Sequence, residues 1–345
     1  MTGGTVAPSD DVLLPRHELE NLVAAALIAA TAGQVSARAT ARALVKAEID
    51  GQSGHGLSRV ESYAAQLHTG KVDGTAAPRV SRPRPGVVSV DVANGFFYPA
   101  FDTAVGPVVE AARSNGIAAA GFTRSHHAGA LGLAVERIAD DGLVALMFAN
   151  TPTAMTAWGG TTPLFGTNPI AFAAPAHNAP PIVVDLALSK VARGKILKAS
   201  KEGASIPEGW AKDADGNPTT DAAAAMAGTL EPIGGAKGAA LALMVEVLAA
   251  ALVGANLSSE ATSFFDGEGD PPGVGQLLIV IDPAAFGGPA MNEKIGALLA
   301  VIAADGDSRV PGSTKHARRT AAEANGIPVD PSTLVSLRAM AGSAG

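Results

Sequence analysis

The chain has 345 residues, 47% of them hydrophobic, a composition that excludes a disordered protein and predicts about two domains. Its 25 Lys and Arg against 32 Asp and Glu leave a net charge of -7, which disfavours a nucleic-acid partner. Because the net charge is negative, a small anionic substrate needs a local basic pocket. The absence of cysteine excludes disulfides, thiolate nucleophiles and cysteine-ligated metals and fits a reducing compartment. Because the first residues also lack the pattern of a signal peptide, we predict a cytoplasmic protein.

The chain begins with a helical module. Residues 16–50 are rich in Ala, Leu and Glu with apolar positions three and four apart, which predicts two helices that break near Gly33. A Pro-rich segment follows at 77–85, and the β-branched run at 87–95, which ends in Asn-Gly, predicts a strand and a turn. The change in composition there predicts a domain boundary.

Strand-like runs then recur, and helical patterns separate several of them. These runs are 117–122, 143–150, 169–174, 182–186 and 277–281. Several follow one another too closely for a crossover helix, so we expect an α/β domain with a mixed sheet. The apolar run at 238–255 has about the minimum length of a membrane span, but Glu246 lies at its centre, which predicts a buried core helix and no membrane association.

The segment DGQSGHGLSRVESY at 50–63 is the first candidate site. His55, Arg59 and Tyr63 are spaced by four, which predicts that they align along one face of a helix. An imidazole exchanges protons near neutral pH and a guanidinium binds a carboxylate through two hydrogen bonds, so this face suits the reduction of a 2-oxo acid. Spacing alone slightly favours a surface helix, whereas the glycines on either side of the histidine favour a site because they permit close backbone approach.

The segment RSHHAGALG at 124–132 is the second candidate. His126 and His127 follow a predicted strand and precede a helical pattern, the place where α/β proteins usually bind ligands. Adjacent side chains cannot share one orientation, so we expect at most one of the pair to be catalytic. The alternative is that a histidine at this strand end caps the next helix or faces solvent.

The common nucleotide motifs, the GxGxxG fingerprint and the Walker loop, are missing from the sequence. Gly-rich and small polar junctions at 158–169, 183–187 and 234–240 lie instead beside predicted strands or helices. Their backbone amides, with Lys237 nearby, are suited to hold the phosphates of a dinucleotide. Asp185 at a strand end would orient a histidine or contact a ribose, or is a plain strand-end carboxylate.

These segments belong to a set of motifs that occur in order through most of the chain. The set resembles the malate/L-lactate dehydrogenase family, of the type that includes ureidoglycolate dehydrogenases, sulfolactate dehydrogenases and Δ1-piperideine-2-carboxylate reductases. The motifs are DGxxxHGxxR at 50–59, GxVDG at 70–74, SHHxGALG at 125–132, FGTNPIAFAAP at 165–175, VDLALSxxARGKI at 184–196, IPEGWAxDxDGNPTTD at 206–221, GGxKGxAL at 234–241 and GQLLIVIDP at 275–283. Several long motifs in the right order are far more specific than any one of them.

The resemblance implies a non-Rossmann NAD(P)-binding fold, a homodimer with the active site near the subunit interface, and hydride transfer at C2 of the substrate with NAD or NADP and no metal. His127 matches the proton acceptor of ureidoglycolate dehydrogenases, and His55 matches the proton donor of the imino-acid reductases. We keep both as catalytic, together with Tyr63 and with Arg59, which matches a substrate-binding arginine. The residues implied to bind the cofactor are Thr151, Asp185, Leu186, Ala187, Lys237, Pro311 and Gly312, with Gly166 and Thr167 in an adjoining junction.

Two positions depart from the pattern of the imino-acid reductases. Those enzymes carry a Ser immediately before the first histidine and an Asp further on, where this chain has Gly54 and Lys195. We therefore expect the proton relay of that branch to be absent, although GGxKGxAL and SHHxGAL are similar to the same branch.

We predict an NAD(P)-dependent oxidoreductase that acts at C2 of a small 2-hydroxy or 2-oxo acid. One alternative is an NADPH-dependent reductase of a cyclic imino acid of the Δ1-piperideine-2-carboxylate or Δ1-pyrroline-2-carboxylate type. From another class, the alternative is a catalytically inactive protein that binds a nucleotide or a small acid. We expect residues 1–85 and 310–345 to form a mainly helical substrate and dimer domain, and residues 86–309 to form the α/β NAD(P)-binding domain.

Overall fold

The computed structural model describes residues 11–176 and 179–342. Its helices are α1 (Arg16–Ala29), α2 (Gln34–Ile49), α3 (Val60–Thr69), α4 (Phe97–Asn115), α5 (Leu131–Asp140), α6 (Arg193–Lys201), α7 (Ala222–Ala227), α8 (Ala236–Glu246), α9 (Pro289–Ala304), α10 (Ser313–Asn325) and α11 (Pro331–Gly342). Its strands are β1 (Val12–Leu14), β2 (Arg79–Arg84), β3 (Val87–Asp91), β4 (Ile117–Ser125), β5 (Val144–Ala149), β6 (Met155–Thr156), β7 (Pro163–Phe165), β8 (Ile170–Ala176), β9 (Ala179–Leu186), β10 (Ala211–Lys212), β11 (Pro218–Thr219), β12 (Thr229–Leu230), β13 (Val274–Ile281) and β14 (Ile327–Val329). The signal-peptide expectation rests in part on residues 1–10, which lie outside the described ranges.

A seven-stranded sheet organises the middle of the chain, in the order β2-β3-β4-β13-β5-β8-β9. Only β3 and β4 run parallel among its neighbouring strands, and α4 provides the crossover between them. The β8–β9 pair is antiparallel, and only two residues of the sequence separate the strands, too few for the crossover helix of a parallel pair. The expected mixed α/β sheet is therefore confirmed. Its main core forms where α4 and α5 cover β3, β4, β5 and β13 with Val, Ala and Phe side chains.

A helical layer joins the two ends of the chain. Its core contains residues of α1, α2 and α3 together with residues of β14 and α11. The helices α1 and α2 are separated at Gly33, as expected, and β1 pairs with β14 near the other end of the chain. The described N-terminal and C-terminal segments thus share one hydrophobic core. The Pro-rich stretch before residue 85 extends the large sheet, because β2 pairs with β3.

A second, smaller sheet has the order β11-β10-β12-β6-β7. Its short strands pack with α6, α7 and α8 around a third core. The sequence pattern did not predict this sheet, because strands of two or three residues are too short to show alternation. Its strands β6 and β7 position the loop before β6 and the loop after β7.

The apolar run at 238–255 is not a uniformly buried helix, which corrects the expectation. It forms α8 and then a wider π-type turn, Val247–Ala251. One face packs inward, where the Glu246 carboxylate accepts hydrogen bonds from Ser258 and Asn168, but Leu243 and Val247 are each more than half exposed. Within the described ranges, no helix is long and apolar enough to cross a membrane.

A buried network of ion pairs connects helix α10 to α2 and α5. Arg319 bonds both carboxylate oxygens of Asp50, at the end of α2, and both of Glu136, on α5. The two carboxylates are almost completely inaccessible, and Lys46 also pairs with Glu136. Since Asp50 directly precedes the segment that carries His55, this network holds α10 next to that segment.

We expect Arg319→Met to lower the free energy of unfolding by about 3 kcal/mol, because it leaves two buried carboxylates with fewer cationic partners. Urea denaturation followed by circular dichroism measures this loss. The control Arg16→Met breaks an exposed pair with Glu20 and should cost less than about 1 kcal/mol. Equal losses from the two variants would contradict the role given to the network.

Candidate active site

The three residues of the first motif do not share a helix face, which corrects the expectation from their spacing. Two 3₁₀ turns, Ser53–His55 and Leu57–Arg59, precede α3. The break occurs at Gly56, where an added Cβ would lie 2.2 Å from Glu48 Oε2. Glu48 in turn accepts hydrogen bonds from the Ser53 hydroxyl and the Leu57 amide, so it stabilises both turns.

His55 and Tyr63 nevertheless meet at a histidine of the second motif. The His55 and His127 rings stack with centroids 5.3 Å apart, and the Tyr63 hydroxyl lies 2.7 Å from His127 Nδ1. His126 points elsewhere, and its Nε2 lies 2.7 Å from Gln66 Oε1. The two adjacent histidines therefore have different partners, as their adjacency implies. We call His55, His126 and His127 the histidine cluster.

A second tyrosine extends the contact at His127. Tyr63 and Tyr98 are the only tyrosines of the chain, and burial followed by the neighbouring Tyr63 hydroxyl raises the pKa of Tyr98. Tyr98 Oη also lies against Gly129, where an added Cβ would be 2.2 Å away. Sequence reasoning missed Tyr98, because it lies on α4 outside every motif. The rarity of tyrosine in this composition was the one available signal.

Burial keeps the imidazoles neutral. Desolvation, followed by the charge of Arg59, lowers the pKa of His55 to about 4, against the opposing effect of Asp185. The same two causes, desolvation first, lower the pKa of His126 to about 3 and hold the pKa of His127 well below its usual value. Desolvation also raises the pKa of Tyr63 to about 12. The site at neutral pH thus has uncharged rings and a neutral phenol beside one guanidinium.

Arg59 is buried, and its Nη1 has no hydrogen-bond partner. Its Nε donates to Gly54 O at 2.7 Å, and its guanidinium carbon lies 4.5 Å from the centre of the Phe265 ring. A buried unsatisfied donor is costly, so the Nη1 edge is suited to an anionic ligand. Phe265, like Phe264 against His127, comes from a loop that no sequence motif singled out.

The two positions that depart from the family pattern differ in their surroundings. An added Cβ at Gly54 would meet no atom within 4 Å, so the backbone leaves room for a side chain. His55 Nδ1 is buried without a hydrogen-bond partner. Lys195 is exposed on α6. The structure thus contains an unpartnered ring nitrogen beside Gly54, the position where the sequence resemblance predicts a serine.

The predicted cofactor residues divide into three groups, of which the first is at Thr151. Its Oγ1 accepts a hydrogen bond from the Thr167 amide at 2.9 Å, and an added Cβ on Gly166 would lie 2.1 Å from Thr151 O. Only glycine therefore permits this approach. Backbone hydrogen bonds continue from Thr167 to Leu188 and from Leu188 to Ile233, just before α8.

The second group lies at the end of β9. Asp185 and Leu186 pair with β8, and Ala187 directly follows the strand. Asp185 Oδ2 accepts hydrogen bonds from the Gly132 amide at 2.9 Å and from Gln52 Nε2 at 3.2 Å. Asp185 thus links the start of α5 to the segment that carries His55. Gln52, which the sequence reasoning missed, keeps a buried Oε1 without a partner.

The third group consists of a helix start and a loop. Lys237 is exposed in the first turn of α8, whose start has no side-chain cap, and Gly234 before it has open space around its Cα. Pro311 and Gly312 precede α10, and Gly312 lies beside Val183 of β9. Free amides next to a lysine fit the phosphates of a nicotinamide nucleotide. In the described ranges, no group of three or more His, Asp or Glu side chains has the arrangement of a metal site.

The sequence matches the family model of malate/L-lactate dehydrogenase over residues 14–338. The chain is 47% identical to a (2R)-3-sulfolactate dehydrogenase (NADP(+)) of Chromohalobacter salexigens, over 89% of this chain and 92% of that protein. It is 42% identical to a Δ1-pyrroline-2-carboxylate/Δ1-piperideine-2-carboxylate reductase of Pseudomonas putida, over 97% and 99%.

The comparison with solved structures supports the same family as the sequence match. The crystal structure of a Δ1-piperideine-2-carboxylate reductase from Pseudomonas syringae superposes with a TM-score of 0.91 at 38% identity, covering 95% of this chain and 99% of that one. The sulfolactate dehydrogenase of Methanocaldococcus jannaschii superposes with a TM-score of 0.87 at 28% identity, covering 97% and 98%. The sequence match and the fold lead to one conclusion: the chain belongs to the malate/L-lactate dehydrogenase family and is an NAD(P)-dependent dehydrogenase or reductase.

Proposed function

We propose that this protein transfers a hydride between NADP and C2 of a small 2-oxo or 2-hydroxy acid, or of the corresponding cyclic imino acid. The observation that carries the proposal is the buried, unpartnered Nη1 of Arg59 beside the stacked rings of His55 and His127. NADP is favoured over NAD because the sulfolactate dehydrogenase relative is named for it. The cysteine-free composition supports a cytoplasmic location.

Arg59 binds the substrate carboxylate in this proposal. The carboxylate takes the free Nη1 edge, while the bond from Nε to Gly54 O fixes the plane of the guanidinium. The charge of Arg59 lowers the pKa of both histidines, so pairing it with a carboxylate removes part of that effect. Substrate binding therefore raises the proton affinity of the imidazoles at the moment when a proton is needed.

A histidine exchanges the proton at the oxygen or nitrogen on C2. The Nδ1 of His127 is occupied by Tyr63, which leaves Nε2 as its reactive nitrogen. His55 is stacked on that ring and partly open, and it provides the second proton-exchanging group. The nicotinamide cofactor supplies or accepts the hydride when bound. The residues proposed to hold it are Thr151, Gly166, Thr167, Asp185, Leu186, Ala187, Lys237, Pro311 and Gly312.

We expect purified protein to oxidise NADPH in the presence of a 2-oxo acid or cyclic imine, followed at the absorbance band of the reduced nicotinamide. His127→Asn and His55→Asn should lower kcat by at least about a hundredfold, because each removes a proton-exchanging group, while cofactor affinity stays nearly unchanged. His68→Asn, on the exposed end of α3, is the matched control. Nucleotide binding without turnover on a broad substrate panel would instead support the inactive binding protein.

The pH profile of the oxidation direction should reflect the depressed histidine pKa values. Oxidation of a 2-hydroxy acid needs a neutral imidazole as base, so we expect kcat/KM to stay level as pH falls through 6.5 and to decline only toward about pH 4. Reduction needs the protonated ring, so its kcat/KM should rise over the same interval. A break near pH 6.5 in the oxidation profile would contradict neutral, buried histidines.

We also propose a homodimer, from the apolar surface of α9. None of the 16 residues of this helix is buried, although its sequence PAMNEKIGALLAVIAA is largely apolar. Leu298 is 56% exposed and Val301 is 68% exposed. The outer face of α8 adds further exposed apolar side chains. Exposed apolar side chains on these two helices favour a self-complementary contact with a second copy of the chain.

Size-exclusion chromatography with light scattering should give the mass of a dimer for the unmodified protein. The pair of substitutions Leu298→Glu and Val301→Glu should shift it to the monomer, because two carboxylates would be buried without partners in the contact. Val35→Glu, at an exposed position of α2, should leave the dimer intact. A monomeric unmodified protein, or a dimer that survives the double change, would refute this contact.

A further inference from the structure

An irregular loop, residues 261–273, lies against the histidine cluster, and we call it the aromatic segment. The Phe264 ring lies 4.9 Å from the His127 ring and 5.4 Å from the His126 ring. Phe265 places its ring over the Arg59 guanidinium. The segment runs from the loop after α8 directly into β13. Its conformation therefore decides which side chains face a ligand at Arg59.

Two fully buried polar side chains near the end of α3 hold the aromatic segment in place. Gln66 Nε2 donates to Phe264 O at 2.9 Å, while Gln66 Oε1 pairs with His126. The Lys71 ammonium donates to Asp266 O, to Asp266 Oδ1 and to Glu268 O. Burying an ammonium group is costly unless its protons are all bonded. The three hydrogen bonds of the Lys71 ammonium thus all go to the aromatic segment.

Phe265 limits the directions from which a ligand reaches Arg59. One face of the guanidinium is covered by the ring and Nε is bonded to Gly54 O, while the buried Nη1 has no hydrogen-bond partner. The Phe265 ring is itself 36% exposed. A substrate whose carboxylate binds Nη1 therefore places its remaining carbon chain next to the exposed part of an aromatic ring.

Of the two cations that lower the pKa values of the histidine cluster, only Arg59 has a donor without a partner. Arg59 and Lys71 are the cations whose charges lower the pKa values of the described histidines, and the donors of Lys71 are already occupied. Asp185 contributes a negative charge near His55. A second anionic group on the substrate would lie beside an aromatic ring, and the Lys71 ammonium could not pair with it because its donors are already bonded, which is unfavourable.

We propose that Phe265 is a specificity-determining residue. It restricts the site to monoanionic 2-oxo or cyclic 2-imino acids whose chain beyond C2 is apolar, and it excludes dianions with a sulfonate or second carboxylate. Gln66 and Lys71 are positioning residues that hold Phe265 through the aromatic segment. The inference rests on the proposed function, because it names the substrate class of that same site.

A pair of substrates that differ in one group tests this specificity. Sulfopyruvate carries a sulfonate, and 4,4-dimethyl-2-oxopentanoate carries an uncharged tert-butyl group of similar shape at the same position. We expect kcat/KM of the unmodified enzyme to favour the uncharged compound by at least about tenfold. Phe265→Lys should reverse the preference, because it adds a cation where the ring stood. Phe265→Leu should retain it, and Val35→Lys should leave both rates unchanged.

The outcomes separate the two proposals. Failure of the unmodified enzyme to reduce either compound, or any acid or imine of the panel, would remove the proposed function. Reduction with sulfopyruvate preferred, or the same preference before and after Phe265→Lys, would overturn the specificity role of Phe265 and leave the proposed function standing. Because Phe265 is partly exposed, both of its variants are expected to fold, and circular dichroism checks this directly.

The positioning role has a test of its own. Lys71→Met removes the bonds to Asp266 and Glu268 while filling a similar volume, so we expect the tenfold preference to shrink and KM to rise more than kcat falls. Lys71→Arg, which keeps the charge and the donors, should restore part of the preference. A loss of thermal stability in Lys71→Met with an unchanged substrate preference would show a merely structural lysine and overturn this part of the proposal.

Discussion

Burying the Arg59 guanidinium against neutral imidazoles is the interaction on which the site depends. A buried cation lowers the proton affinity of every ring near it, and burial alone already acts in the same direction on the described histidines. The protein contributes a carbonyl oxygen and an aromatic face to this charge but leaves Nη1 unbonded. The structure therefore retains an unfavourable arrangement. In the proposed function a substrate carboxylate relieves it, so substrate binding and the proton affinity of the histidines are coupled through one side chain.

Helix α3 connects the elements that meet at this charge. Arg59 precedes its first residue, Tyr63 reaches His127, and Gln66 contacts both His126 and the aromatic segment. Lys71 lies just beyond the left-handed glycine that ends the helix, and it fastens the same segment. One helix of ten residues thus sets the relative positions of groups that lie about 200 residues apart along the chain.

The sequence predicted the mixed sheet, the break at Gly33 and two segments that meet at the site, because these depend on local periodicity and on motif order. It failed where the answer depends on tertiary contacts. The i, i+4 spacing of His55, Arg59 and Tyr63 indicated one helix, but Glu48 stabilises tight turns instead. Tyr98 and Phe265 lie in no motif, and only the folded chain brings them to the cluster. The outer face of α8 appeared buried because composition does not record which side meets solvent.

The central position of β13 has a consequence for how this molecule is made. The strand lies between β4 and β5 and pairs with both, yet it follows them by more than a hundred residues in the sequence. During synthesis, β4 and β5 emerge with their inner edges unpaired, and they stay so until β13 leaves the ribosome. A nascent chain halted before that point has two sheet fragments whose open edges attract other strands. The aromatic segment directly precedes β13, so closure of the sheet and the placement of Phe264 and Phe265 at the proposed active site belong to one late event.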